Sequence, residues 1–165
     1  DALSLYAVDL IAHNLVDVYK GTGSKESWEK ITLASTIGGM VINTAGVTLA
    51  HGMEHPASGL KDIVHGKGLA ALTPTIIEAS YQGAPEKFAK LAKLFGGEKA
   101  EDLAGKVREL LEDIELTCTL SDLGIEEKDI PWMAENCMKV SAPSIANNPV
   151  VFSQEEIAEI YKKAL

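Results

Sequence analysis

Residues 31–50 read ITLASTIGGMVINTAGVTLA, twenty positions without a charged side chain, and the fold class turns on what surrounds them. A helix of about that length spans a bilayer. This stretch, however, carries Thr32, Ser35, Thr36, Asn43, Thr44 and Thr48 together with Gly38, Gly39 and Gly46, which lowers its hydropathy below that of a lipid-facing helix. It reads as a helix surrounded by protein at the centre of a helical domain, its glycines allowing close backbone approach or a local kink. No membrane partner is expected.

On either side the apolar residues keep helical spacing, and no segment alternates with period two between hairpin turns. The expected fold is therefore all-α, a single multi-helix domain over residues 1–165 with roughly seven to nine helices. Upstream, Leu3, Leu5, Val8, Leu10, Ile11, Leu15, Val16 and Val18 mark a first helix that stops near Gly21, and Ser24 is placed to cap the next. The GTGSKES turn between them lacks the spacing of a phosphate loop and follows a helix rather than a strand. Downstream, Pro56 predicts a break or a short new helix. Residues 66–81 read as a buried helix perturbed by Pro74, APEKFAKLAKLFGG as a short amphipathic helix, and residues 100–116 as a longer one. Ser121 is placed to cap a single turn, and another short helix begins near Ile130 or Pro131. The closing SQEEIAEIYKKAL opens with a capping box of Ser153 and Glu156.

The 165 residues, 46% of them hydrophobic, suffice for one core. With 24 acidic against 15 basic residues the formal charge is −9, and without a compensating basic stripe nucleic acid is not an expected partner. Cys118 and Cys137 form neither a disulfide framework nor a short ligand spacing, and read as buried thiols of a cytoplasmic protein. The opening DALSLYAVDL has no basic leader segment.

Just beyond the uncharged segment, Leu49 to Gly66 reads LAHGMEHPASGLKDIVHG and holds His51, His55 and His65, three of the four histidines. Imidazole is the commonest ligand for transition metals and the side chain that most readily exchanges a proton near neutrality. A metal site, a proton relay or both are the readings with chemical content; three helix-packing histidines that happen to be neighbours is the alternative. On a helix His51 and His55 share a face, and Glu54 between them completes H-x-x-E-H. That is the pattern of a zinc peptidase in which Glu54 would activate water and Glu78, Glu112 or Glu115 would add a ligand. Glu54 is also readable as a solvated charge or a salt-bridge partner, and His13 as an ordinary helix residue.

The longer pattern of Gly46, His51, His55, Gly59, His65 and Gly66, with the third histidine fourteen positions after the first, resembles the C-terminal helical domain of the iron-containing, or group III, alcohol dehydrogenases. DALSLYAVDLIAHNL, SDLGIEEKDIPWMAENC and NNPVVFSQEEIAEIYKKAL resemble further segments of that domain, so the resemblance covers essentially the whole chain. It implies an NAD- or NADP-dependent enzyme that interconverts an alcohol with an aldehyde or ketone, with Fe2+ or Zn2+ polarising the substrate oxygen. By position in the motif, His51 and His65 would be metal ligands. His55 would lie beside the nicotinamide and the substrate, as catalytic and cofactor-binding residue, and help pass the alcohol proton to water. The implied substrate is a small alcohol or aldehyde, and the resemblance allows a homo-oligomer.

Two parts of the family pattern have no counterpart in these residues. Its Asp-x-x-x-His ligand pair is missing, since Leu5 stands where Asp1 would need a histidine, and no strand, glycine turn and helix follow one another to hold a dinucleotide. The chain is thus expected to be a fragment carrying the helical domain of a longer enzyme, inactive alone and a poor holder of metal with half a ligand set. A self-sufficient zinc peptidase or a noncatalytic helical module are the alternatives that the residues leave open.

Overall fold

Nine α-helices and two single 3-10 turns make up the regular structure of a computed structural model that describes all 165 residues, and there is no strand. The helices are α1 (Ala2–Tyr19), α2 (Lys25–Ala45), α3 (Leu49–Lys61), α4 (His65–Ser80), α5 (Pro85–Leu94), α6 (Asp102–Asp113), α7 (Ile130–Val140), α8 (Ala142–Ala146) and α9 (Gln154–Lys163), with 3-10 turns at Tyr81–Gly83 and Glu127–Asp129. The all-α expectation is met. Where length points to one domain, the chain divides into two compact units, residues 1–46 with 85–115 and residues 47–84 with 116–165.

In the first unit α1 ends before Gly21, whose φ of 74° reverses the chain at a conformation glycine adopts without steric cost. Ser24 caps α2 as expected, its hydroxyl accepting from the backbone N–H of Ser27 at 3.1 Å. The uncharged segment departs from expectation. Along α2 only Ala34 and Ile37 are buried, packed with Ala7 and Leu10 of α1, while Leu33, Met40 and Ile42 stay exposed. Polar positions interrupt the apolar ones too often for a continuous buried stripe. The hydroxyls of Thr32, Thr36 and Thr44 donate instead to carbonyls of their own helix four residues back, at 2.9, 3.0 and 2.9 Å. Gly46, at φ 72°, ends the helix, so Leu49 and Ala50 belong to α3 and no single helix is long and apolar enough to cross a membrane.

The second unit holds the larger core. Leu49, Met53 and Ala57 recur four apart on α3 and are fully buried against Leu72 of α4, Met133 of α7 and Ile157 and Tyr161 of α9. Pro56, expected to break the chain, lies inside an uninterrupted α3. A proline has no N–H, which orphans the carbonyl four residues back. Here that carbonyl belongs to Gly52, and the buried Ser141 hydroxyl donates to it at 3.2 Å, so the helix continues without an unsatisfied group. Ser153 and Glu156 form the capping box of α9, with the Ser153 N–H on Glu156 Oε2 at 2.7 Å. Ser121 caps nothing helical; the bend around it is held by Asp122, whose carboxylate accepts from the N–H of Thr119 at 2.8 Å.

Candidate metal centre

The histidine stretch falls wholly within the second unit. Because Leu49, Gly52, Met53, Pro56 and Ala57 take the buried side of α3, His51 is left half-buried and His55 exposed, one turn apart on one helix. Continuity through Pro56 is what keeps them in register. The helix closes on Asp62, in the left-handed region at φ 53°, where a short polar side chain is tolerated. The chain then reverses and α4 opens on His65 itself.

The turn returns the third imidazole to the first two. Ring centroids are 6.1 Å apart for His51 and His55, 5.2 Å for His51 and His65, and 5.9 Å for His55 and His65. The three histidines singled out by sequence therefore do converge. Burial first, then the neighbouring His65 and His55 rings, lower the His51 pKa, against a smaller opposing effect of Glu54. The shift favours the neutral ring, the form that coordinates a metal.

Glu54 is the residue that sequence reasoning misjudged. It is neither solvated nor poised over an open site: its side chain is 0% exposed, with the Ser58 hydroxyl against Oε1 and the His65 Nδ1 against Oε2. The Ser58 hydroxyl sits between that carboxylate and the carbonyl oxygen of Ile63, 3.1 Å away. Donor atoms of Glu54, His55 and His65 all lie within 4.8 Å of one another. Thus Glu54 pairs with His65, as an ion pair only when that ring is protonated, and is not a solvated charge. A water-activating glutamate must reach water, which this one does not. Of the acidic residues considered as a peptidase ligand, Glu78 is exposed on α4, while Glu112 and Glu115 belong to the first unit, with Glu115 accepting from the Tyr19 hydroxyl at 3.1 Å.

The burial of Glu54 depends on Gly68. A Cβ at position 68 would stand 2.7 Å from Glu54 Oε1 and 2.8 Å from its Cγ, so the carboxylate fills space that any other residue there would occupy. Such a glycine in the first turn of α4 was the sequence signal for a close approach, since an ordinary helical position disfavours glycine. His13 lies elsewhere, on α1 in the first unit, its Nδ1 3.2 Å from Asp9.

The sequence profile of the Fe-containing alcohol dehydrogenase family, C-terminal region, matches residues 1–165. Among characterised proteins, 1,3-propanediol dehydrogenase of Klebsiella pneumoniae is 33% identical over 172 residues, covering 99% of this chain and 44% of that protein. Lactaldehyde reductase of Escherichia coli K12 is 28% identical, over 99% of this chain and 44% of its own length. Among solved structures, a 1,3-propanediol oxidoreductase superposes with a TM-score of 0.89 at 35% identity, over all of this chain and 45% of that one. An archaeal halo-thermophilic alcohol dehydrogenase from a Red Sea brine pool gives 0.91 at 30% identity, again over 100% of this chain and 44% of its own. The chain spans less than half the length of each of these relatives.

Proposed function

The chain belongs to the Fe-containing alcohol dehydrogenase family, whose C-terminal region it matches from end to end, and on that premise we propose that it is the helical, metal-binding part of a nicotinamide-linked dehydrogenase of small alcohols and carbonyls. One observation carries the reading: three imidazoles converge from α3 and the first residue of α4 beside a buried carboxylate. The donor set fits Fe2+ or Zn2+, both of which accept neutral imidazole nitrogen. His51 and His65 would hold the ion, which when bound supplies Lewis-acid polarisation of the substrate oxygen. His55, the exposed ring beside them, would sit next to the nicotinamide and the substrate, take up the alcohol proton at a ring nitrogen and release it to water. NAD or NADP would be the hydride partner, carried by a dinucleotide-binding part joined to these residues. The relatives named for propanediol and lactaldehyde favour short, polar substrates.

Two histidines leave a metal site half built, so the 165-residue chain alone should bind zinc weakly and turn nothing over. The test is nicotinamide-linked reduction of a short aldehyde by the complete enzyme. Activity should disappear on chelation, return with Fe2+ or Zn2+, and be absent from the isolated chain. Turnover that survives chelation, or peptide hydrolysis by the isolated chain, would refute the reading.

A further inference from the structure

His65 opens α4 and its side chain is 51% exposed, so nothing in its local backbone fixes how the ring turns or which nitrogen bears the proton. Glu54 does both. Its carboxylate is wholly buried yet faces the ring edge at Nδ1, and its second oxygen is engaged by Ser58. A carboxylate oxygen accepts, so a neutral ring held in this contact carries its proton on Nδ1 and keeps its lone pair on Nε2. The carboxylate also lies against the first turn of α4 at Gly68, where the helix dipole favours negative charge. We propose that Glu54 is a positioning residue that locks His65 in the Nδ1–H tautomer and presents Nε2 as its coordinating atom.

Three features of this chain act together to build the device. Glu54 supplies the acceptor, Ser58 one turn later on α3 orients it, and Gly68 leaves it room. Gly68 does not adopt a positive φ, so its small size and not its backbone freedom is what the site uses. Partners behind a ligating histidine set its tautomer and orientation and typically change metal affinity about 10–100-fold. The ligand half of the proposal rests on His65 being a metal ligand; the tautomer half does not.

Long-range proton–nitrogen NMR on the 165-residue chain with 15N-labelled histidine reads the tautomer directly. His65 should carry its proton on Nδ1. Glu54→Ala should return it to the mixture of a free imidazole, in which Nε2–H predominates, whereas Glu54→Gln, whose amide oxygen still accepts, should keep the Nδ1–H form. Gly68→Ala should mimic Glu54→Ala without touching the carboxylate, because the new Cβ displaces it. Glu54→Ala combined with Gly68→Ala should recover the thermal stability that Gly68→Ala loses. Zn2+ titration of the same proteins against a chelator should weaken about 10–100-fold in Glu54→Ala and Gly68→Ala, and less in Glu54→Gln. An Nε2–H tautomer in the unaltered chain, or one indifferent to Glu54→Ala, overturns the proposal whatever the enzyme does. Zinc binding indifferent to His65→Ala overturns the metal reading, and with it the ligand role of Nε2, while the tautomer result stands separately.

Discussion

Cys137 lies on α7 in the core of the second unit with no exposed surface, and burial pushes its thiol up to about 12. Cys118 is only half-buried, its Sγ donating to the Lys67 carbonyl at 3.5 Å, and burial with the nearby Asp122 raises it too. The thiolate is the reactive species, so a disulfide reagent at pH 8 should modify Cys118 slowly and Cys137 only as the chain unfolds. Measuring thiol release before and after guanidine checks this; a rapid second equivalent in the native protein would contradict it. At this scale the burial of Cys137 and the clustering of three histidines were legible from residue type and spacing, whereas Cys118, expected to be buried, is only half-buried. Glu54 was not legible. A glutamate flanked by two histidines reads as a solvated charge, a salt-bridge partner or a base, and what stays hidden is its burial, which depends on a glycine fourteen positions on in another helix.

Between residues and the molecule stand the helices, and α3 shows why their ends are easier to read than their interiors. Caps are local: Ser24, Ser153 and Glu156 are close in sequence to the N–H groups they satisfy, which is why they were found. What becomes of a helix at an internal proline is decided far away. Pro56 frees the Gly52 carbonyl and Ser141, on the turn between α7 and α8, satisfies it at 3.2 Å. The same logic misled the reading of residues 31–50, where freedom from charge suggested burial although threonine hydroxyls satisfied by their own helix leave it content to be exposed. Ser141→Ala should therefore cost about 1–3 kcal/mol, the penalty of a buried unpaired carbonyl. In a Pro56→Ala background the restored N–H fills that carbonyl, and the loss on removing Ser141 should fall well below that range. Denaturant unfolding of the four proteins measures the coupling; equal costs in both backgrounds would show that Ser141 acts only by packing against Gly52.

Over the whole molecule, helical periodicity disclosed the fold class, while the division into two units did not follow from length. The second unit buries most of the core and carries every residue of the candidate site, with α3, Asp62 and the start of α4 bringing His51, His55 and His65 into one cluster. The proposed division of labour within that cluster is tested by alanine substitution of each histidine in the complete enzyme, with elemental analysis of iron and zinc alongside steady-state rates. His51→Ala and His65→Ala should lose metal and activity together. His55→Ala should keep its metal while turnover falls about 10²–10⁴-fold, with an altered pH profile, because a proton path has been removed and the Lewis acid has not. If His55→Ala loses the ion as completely as His51→Ala does, the assignment of roles is wrong.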